Sequence, residues 1–326
     1  MTNVKVKKVN LINILYVIML LIGIILLVIL PKISIEAFYM GIRIWATKVL
    51  PALLPFFILT KLLSYTSAIQ KFGKVFSPVT FKFYGVGGIA GYVYLMSIIS
   101  GYPVGAKLTS DLYKENIISS KQAQTITSFT STSGPLFIMG TVAIGMYNSS
   151  IIGIIVLLSH MLGAILNGLL YRNKENASTL DYTKAPTPNI LNESMTSSIL
   201  SIMVVGGFIS LFYMFLQIIL QLNTLAPLLK FLQILGVPTS ISTSIFAGII
   251  EVTSGCLYLG QTGLSARMLT IISTFLISFG GLSIHAQAFT FLKDFHMSYK
   301  KFLLIKTTQS IISTIIAIII SMIFLW

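Results

Sequence analysis

Charge is scarce in this chain of 326 residues, with Asp, Glu, Lys and Arg together making up only 9%. A soluble domain carries roughly 25%, so there is too little charge here to cover a water-exposed surface. Acidic residues are the scarcer sign, eight against 22 basic ones, for a net charge of +14. The single cysteine, Cys256, excludes an intramolecular disulfide and any multi-cysteine metal or cluster site. Three histidines, His160, His285 and His296, are too scattered for a zinc motif. No metal and no cofactor are therefore expected. The N-terminus has basic residues before an apolar run over 11–30, but no small-x-small cleavage site follows it. An uncleaved first span fits better than a signal peptide. No polar stretch is long enough for a separate soluble domain, and the longest, 172–193, reads as a linker.

What is present is apolar. Hydrophobic residues make up 55% and the mean hydropathy is +0.92, the composition of an all-α polytopic membrane protein embedded in the lipid bilayer. The basic residues are spread over loops and helix ends, as topology signals and contacts with anionic headgroups require. That distribution argues against nucleic acid as a partner.

Spans are expected at 11–30, 35–64, 122–147, 151–171, 195–222, 268–292 and 302–326. The apolar stretches 86–113 and 239–265 are broken by Ser-Gly pairs into arms too short to cross, so they read as re-entrant hairpins. Residues 65–85 read as a basic loop, and 223–238 as an interfacial piece. The positive-inside rule puts 1–10, 65–85, 114–121, 172–193 and 293–301 in the cytoplasm, with Lys306 counted in the last of these clusters. The N-terminus is then cytoplasmic and the C-terminus on the opposite side. This gives an N-terminal transmembrane helix (1–34), a first repeat (35–171), a cytoplasmic linker (172–193) and a second repeat (194–326). The two repeats have inverted topology, each with a re-entrant hairpin and an interrupted transmembrane helix, a plan that places a binding site at the midplane.

Both repeats carry a Ser-Gly pair followed by a Ser-Phe pair, 28 residues later in the first and 24 in the second. In the first, Ser100, Gly101, Tyr102, Pro103, Gly105 and Lys107 form a hairpin tip. The helix starting after Pro103 aims free amides and a positive dipole end at a ligand, a field that favours an anion. Lys107 adds a full charge there or, equally, snorkels to headgroups. Ser128, Thr130, Ser131, Thr132 and Ser133 supply hydroxyls around Phe129 and the Gly134-Pro135 break. In the second, Thr253, Ser254 and Gly255 mark a break in the hairpin, and Ser278, Gly280 and Gly281 mark a break in the next span. His285 and Gln287 follow it, where a lone histidine either lines the cavity or donates to a nearby carbonyl. Glu251 is the carboxylate deepest in an apolar segment, and an ionisable group there is a functional candidate by default. It is the expected coupling-ion site, for a proton or sodium.

These residues point to a carrier rather than an enzyme. An intramembrane hydrolase built from Ser254 or Ser278 with His285 and Glu251 has no spacing to support it. A scaffold or receptor needs no paired broken helices.

The runs Leu50-Pro51-Ala52-Leu53-Leu54-Pro55-Phe56-Phe57 and Ser100-Gly101-Tyr102-Pro103-Val104-Gly105-Ala106-Lys107 resemble signatures of the sporulation integral membrane protein YlbJ family, in the nucleoside-recognition or Gate group. Ser128 through Phe137, Glu251 through Gly255 and Gly280 through Gln287 are similar to its other signatures, so the likeness runs from about residue 40 to 325. The resemblance implies a fold like that of concentrative nucleoside transporters. It also implies a role in moving dipicolinic acid from mother cell to forespore across the outer forespore membrane. Dipicolinate is a small aromatic dianion, and Tyr102 and Phe129 offer rings to stack on it. The glutamate-rich nucleoside-contact pattern of true nucleoside carriers is not seen in the first hairpin. A nucleoside or nucleobase carrier is the alternative, a non-transporting sporulation scaffold the second, and a homo-oligomer is compatible with all of them.

Overall fold

The structure is a computed structural model that describes residues 11–63, 65–173 and 189–325. The N-terminal basic stretch and most of the expected linker lie outside the described residues. Helix α1 (Leu11–Ile29) ends at Leu30, and Pro31 opens α2 (Pro31–Ile44) at the position where a missing N–H costs nothing. The chain bends by 107° there. A π-helical stretch, Trp45–Val49, joins α2 to α3 (Leu50–Leu63) without a break in the helical backbone. This wider turn lies just ahead of Pro51 and Pro55, whose missing donors and ring bulk an unbroken α-helix does not accommodate.

Residues 65–85, expected as a loop, are mostly helix: α4 (Ala68–Tyr84) ends at Gly85 in the left-handed conformation, φ +67°. Phe72 and Phe76 stack on each other within it, and Phe72 packs at a tilt against Tyr92 of the next element. Packed aromatics override the breaker signal of Gly73 and Pro78. The first hairpin is α5 (Ile89–Ser100) and α6 (Val104–Lys114). Then α7 (Ser120–Thr130) opens on a capping box made by Ser119 and Gln122. The chain unwinds over 131–134 and continues as a second π-helical stretch, Leu136–Ile144, before α8 (Ser150–Leu170).

The second half repeats this order. A long helix, α9 (Ile190–Gln221), and a short one, α10 (Ala226–Ile234), precede the hairpin of α11 (Thr239–Ile250) and α12 (Val252–Gly260). The hairpin's break is at Glu251, two residues before the expected Thr253. Thr253 to Gly255 form the first turn of α12, because the Glu251 carboxylate caps that turn. A broken helix follows, α13 (Ala266–Phe279) and α14 (Gly281–Leu292), interrupted at Gly280 with φ +92°. Last comes α15 (Tyr299–Phe324). The leading helices of the two halves pack together, α9 along α2 and α3, and so do the closing ones, α15 along α8. Glycines allow both approaches: a Cβ on Gly41 would lie 2.5 Å from Ser210 Cα, and one on Gly163 2.0 Å from Ser313 Oγ.

Among the described residues, four helices are long and apolar enough to cross a membrane, or up to six if each of two bent helix pairs is one span. The seven spans expected from the sequence are not reached by this measure. The distribution of side chains is inside out relative to a soluble protein. Ile151, Ile154, Leu158, Leu162 and Leu166 of α8 are exposed, while Ser159, His160 and Asn167 of the same helix are buried. Hydrocarbon solvates the first set, and only protein partners can satisfy the second.

Candidate functional site

The first hairpin turns at Gly101 because no other residue fits there. Its backbone has φ +77° and ψ −166°, a region essentially confined to glycine. A Cβ on it would lie 2.5 Å from the backbone nitrogen of Gly134, and one on Gly105 2.3 Å from the carbonyl oxygen of Thr130. The tip is therefore seated backbone to backbone on the unwound stretch of the first broken helix. Ser97 reinforces the contact, donating to the Thr130 carbonyl and lying 2.9 Å from Thr132 Oγ1. Unwinding frees backbone groups, and these contacts satisfy some of them.

The second half has the same clasp. A Cβ on Gly255 would lie 2.2 Å from Gly248 Cα, closing hairpin α11–α12 on itself, and one on Gly281 2.8 Å from the Gly248 carbonyl oxygen. Glu251 sits at the hairpin tip, 4% exposed. Its carboxylate accepts hydrogen bonds from the Thr253 and Ser254 amides at 3.0 and 2.7 Å and from Ser254 Oγ at 2.8 Å. It thereby caps α12 and meets the positive end of that helix's dipole. Replacing Glu251 with alanine leaves both amides without that acceptor, at a cost of about 0.5–2 kcal/mol, whereas glutamine keeps one acceptor oxygen. Thermal unfolding in detergent is expected to rank wild type above Glu251→Gln above Glu251→Ala; equal midpoints for all three would contradict the capping role.

Between the two clasps is a cavity of about 150 Å³. Ser100, Gly101 and Tyr102 line it from the first tip, and Ser133 and Gly134 from the first break. Glu251 and Thr253 line it from the second tip, and Ser283 and Gln287 from just beyond the second break. Leu53, Phe56, Ile99, Phe137, Val205 and Ile209 make the apolar wall. Ser100 Oγ is buried without any hydrogen-bond partner, in a residue that lines the cavity. Gln287 Nε2 donates to Ser283 Oγ at 3.2 Å. An apolar wall with few polar groups is the general make-up of small-molecule pockets.

Several residues picked from the sequence lie elsewhere. Lys107 does not line the cavity: its ammonium bonds Asp111 Oδ2 and Ser197 Oγ, both at 3.2 Å, and Asp111 also pairs with Lys61 at 3.3 Å. Phe129 stacks on Tyr84 with ring centroids 4.3 Å apart and has no free face for a ligand. Ser128, Thr130, Ser131 and Thr132 are buried around the break, where Asn167 Nδ2 donates to the Ser128 carbonyl at 2.8 Å. Pro103, Gly105, Ser254, Gly255, Ser278, Gly280 and Gly281 shape the tips and breaks without lining the cavity. His285 donates from Nε2 to the Phe279 carbonyl at 2.9 Å, with Tyr299 Oη 3.3 Å from Nδ1. It satisfies the carbonyl freed where α13 stops.

Two residues that were not among the expected site residues hold the centre together. His160 Nε2 accepts from the Ser133 amide at 2.8 Å, so the proton is on Nδ1, which faces Ser278 Oγ at 2.8 Å. One imidazole thus bridges the first broken helix to the second. Lys306, expected near the cytoplasmic loop, is fully buried on α15. Its ammonium bonds the hydroxyl of Tyr102, the Ser131 carbonyl oxygen at 2.9 Å and Gln309 Oε1 at 2.6 Å. A readable signal existed: Lys306, Gln309, Ser310 and Ser313 recur at helical spacing, a polar stripe in an otherwise apolar helix.

Fold and cavity together define a multi-pass helical membrane protein whose polar interior is assembled from two hairpin tips and two broken helices. Residues 46–158, which take in the first hairpin and the first broken helix, match the family model described as nucleoside recognition, Gate. The chain is 32% identical over 313 residues to the sporulation integral membrane protein YlbJ of Bacillus subtilis (strain 168), covering 87% of this chain and 77% of the relative. The chain belongs to that protein's family. No solved structure matches it significantly.

Proposed function

We propose that the chain is a membrane transporter of a small anionic or aromatic solute, with dipicolinate as the first candidate, carried from the mother cell toward the forespore during sporulation. The observation that carries this reading is the shared cavity: both tips, the first break and the helix that follows the second break contribute polar residues to one space, and Ser100 Oγ, in one of those residues, has no partner. Paired broken segments in the two halves of a transporter are where substrate sites form. The donors suit carboxylates, with Ser100, Tyr102, Ser133, Thr253 and Ser283 hydroxyls and the Gln287 amide around an apolar slot. The negative charge of Glu251 is directed into the first turn of α12. The reading places the protein in the outer forespore membrane, N-terminus in the mother-cell cytoplasm, with the two halves inverted relative to each other. The relative's name ties the family to sporulation.

The reading is of a carrier without covalent chemistry. Ser254 is bonded to Glu251 and Ser278 to His160, and His160 already uses its ring lone pair on the Ser133 amide. Neither serine has a free base beside it.

A second reading, a nucleoside carrier, is favoured by the description of the matched family model. Uptake of labelled dipicolinate and of uridine into proteoliposomes, with and without proton or sodium gradients, separates the two. Saturable dipicolinate uptake that exceeds uridine uptake is the expected result. Uridine uptake without dipicolinate uptake would overturn it.

A further inference from the structure

We propose that Lys306 is the protonatable site that couples a proton to the anion in the cavity, with Tyr102 as the link between them. The inference rests on the carrier reading above. Three oxygens surround Nζ: the Tyr102 hydroxyl, the Ser131 carbonyl and Gln309 Oε1. All are neutral, and among the described residues no carboxylate lies within 4.0 Å of it. The Ser131 carbonyl belongs to the unwound stretch, the kind of group that holds a coupling cation in transporters with broken helices. Here the chain supplies its own cation in that place.

The site accepts Lys306 in either protonation state. As an ammonium it donates to all three oxygens. As a neutral amine it donates to the carbonyl and to Gln309, while its lone pair accepts from the Tyr102 hydroxyl, so no hydrogen bond is lost. Only the Tyr102 proton turns around. Tyr102 also lines the cavity, whereas Lys306 does not, so the phenol is the path. It passes its own proton to Nζ and regains one from the cavity side, with a net gain of one proton by the site. The Lys306 ammonium sits 4.8 Å from the centre of the Tyr102 ring, so each charge state is felt across that ring in the cavity. A charged Lys306 favours an anion there, and by reciprocity a bound anion favours the proton.

The neighbouring elements add no competing carboxylate. Facing Lys306 are His160 on α8 and His285 on α14, each committed to a backbone partner. The remaining ionisable side chains of the elements packed against α15 are Arg267 on α13 and Lys121 on α7. Arg267 is bonded to the Leu325 carbonyl at the far end of α15. Glu251 is occupied as the cap of α12.

The test compares wild type with Lys306→Met and Tyr102→Phe in proteoliposomes. Wild-type dipicolinate uptake is expected to rise about tenfold with an inwardly directed proton gradient, within the usual range of coupling between sites, and to ignore sodium. Lys306→Met is expected to lose that response, and Tyr102→Phe to slow it. A Lys306→Met protein that keeps the wild-type gradient response overturns the proposal, as does sodium-driven uptake in wild type. A second readout needs no substrate: thermal unfolding of ligand-free protein from mildly acidic to mildly basic buffer. The wild-type midpoint is expected to show a pH step that Lys306→Met lacks, and identical profiles count against the site. If dipicolinate fails as a substrate while the step remains, the substrate assignment has failed and the proton site stands.

Discussion

Gly101→Val is expected to abolish transport and to leave little folded protein in the membrane. Two separate penalties act at that position. The backbone conformation of Gly101 is one that side chains scarcely adopt, which costs about 1–3 kcal/mol. The new Cβ would also stand 2.5 Å from the backbone nitrogen of Gly134, and since a Cβ is fixed by its own backbone, neither atom can rotate away. The tip must then lift off the unwound stretch, opening the cavity on its Ser100 side. Gly101→Ala keeps both penalties and adds less bulk, so it is expected to fold in part yet still fail to transport. Membrane yield by fluorescence-detected size exclusion, with uptake measured on the recovered fraction, gives both readings. Wild-type uptake by Gly101→Val protein would mean that the seated tip is not part of the transport site.

His160→Leu is expected to have the second-largest effect, although His160 does not line the cavity. It strands the Ser133 amide and the Ser278 hydroxyl together, each buried and each bonded to one nitrogen of the same ring. Leaving a buried donor or acceptor unsatisfied costs about 1–3 kcal/mol per group, so a drop of several kcal/mol in stability is expected. Transport should fall further than stability alone predicts, because Ser133 lines the cavity and its position depends on that amide. His160→Gln, whose side-chain oxygen can accept from Ser133, is expected to recover part of the loss. A thermal midpoint unchanged in His160→Leu would show that the bridge between the two broken helices does not matter.

The architecture was more legible than the site. Short apolar arms around Ser100-Gly101-Tyr102-Pro103 read as a hairpin, because neither arm is long enough to cross the hydrocarbon. The same argument put interruptions within 128–135 and 279–282, ranges that take in the unwound stretch 131–134 and the break at Gly280. It failed by two residues at the second tip, where the Ser-Gly pair looked like the interruption. There the side chain of Glu251, rather than a flexible backbone, decides where the helix restarts. Residues 65–85 were misread because basic and glycine residues outweighed an aromatic pattern whose partner, Tyr92, becomes visible only in three dimensions. Lys306 was misplaced for a related reason: a lysine a few positions inside a span is indistinguishable by position from one that reaches the headgroups. Its bonds run to Tyr102 and Ser131, about two hundred residues earlier in the chain. The hydroxyl cluster was recognised as polar, but not that most of it faces the protein. A serine list cannot say which of the buried hydroxyls left without a partner belongs to a residue lining the cavity, and here it is Ser100.

That long-range pairing of Lys306 bears on biogenesis. Helix α15 is the last described element to leave the ribosome, and it carries an amine whose partners were synthesised in the first half of the chain. Until it arrives, the Ser131 carbonyl lacks its Lys306 donor, and until it docks, Lys306 must be shielded from lipid. The polar centre is thus complete only once α15 has docked. A nascent chain stopped before Tyr299 is expected to insert its earlier helices and then be recognised as incomplete by membrane quality control.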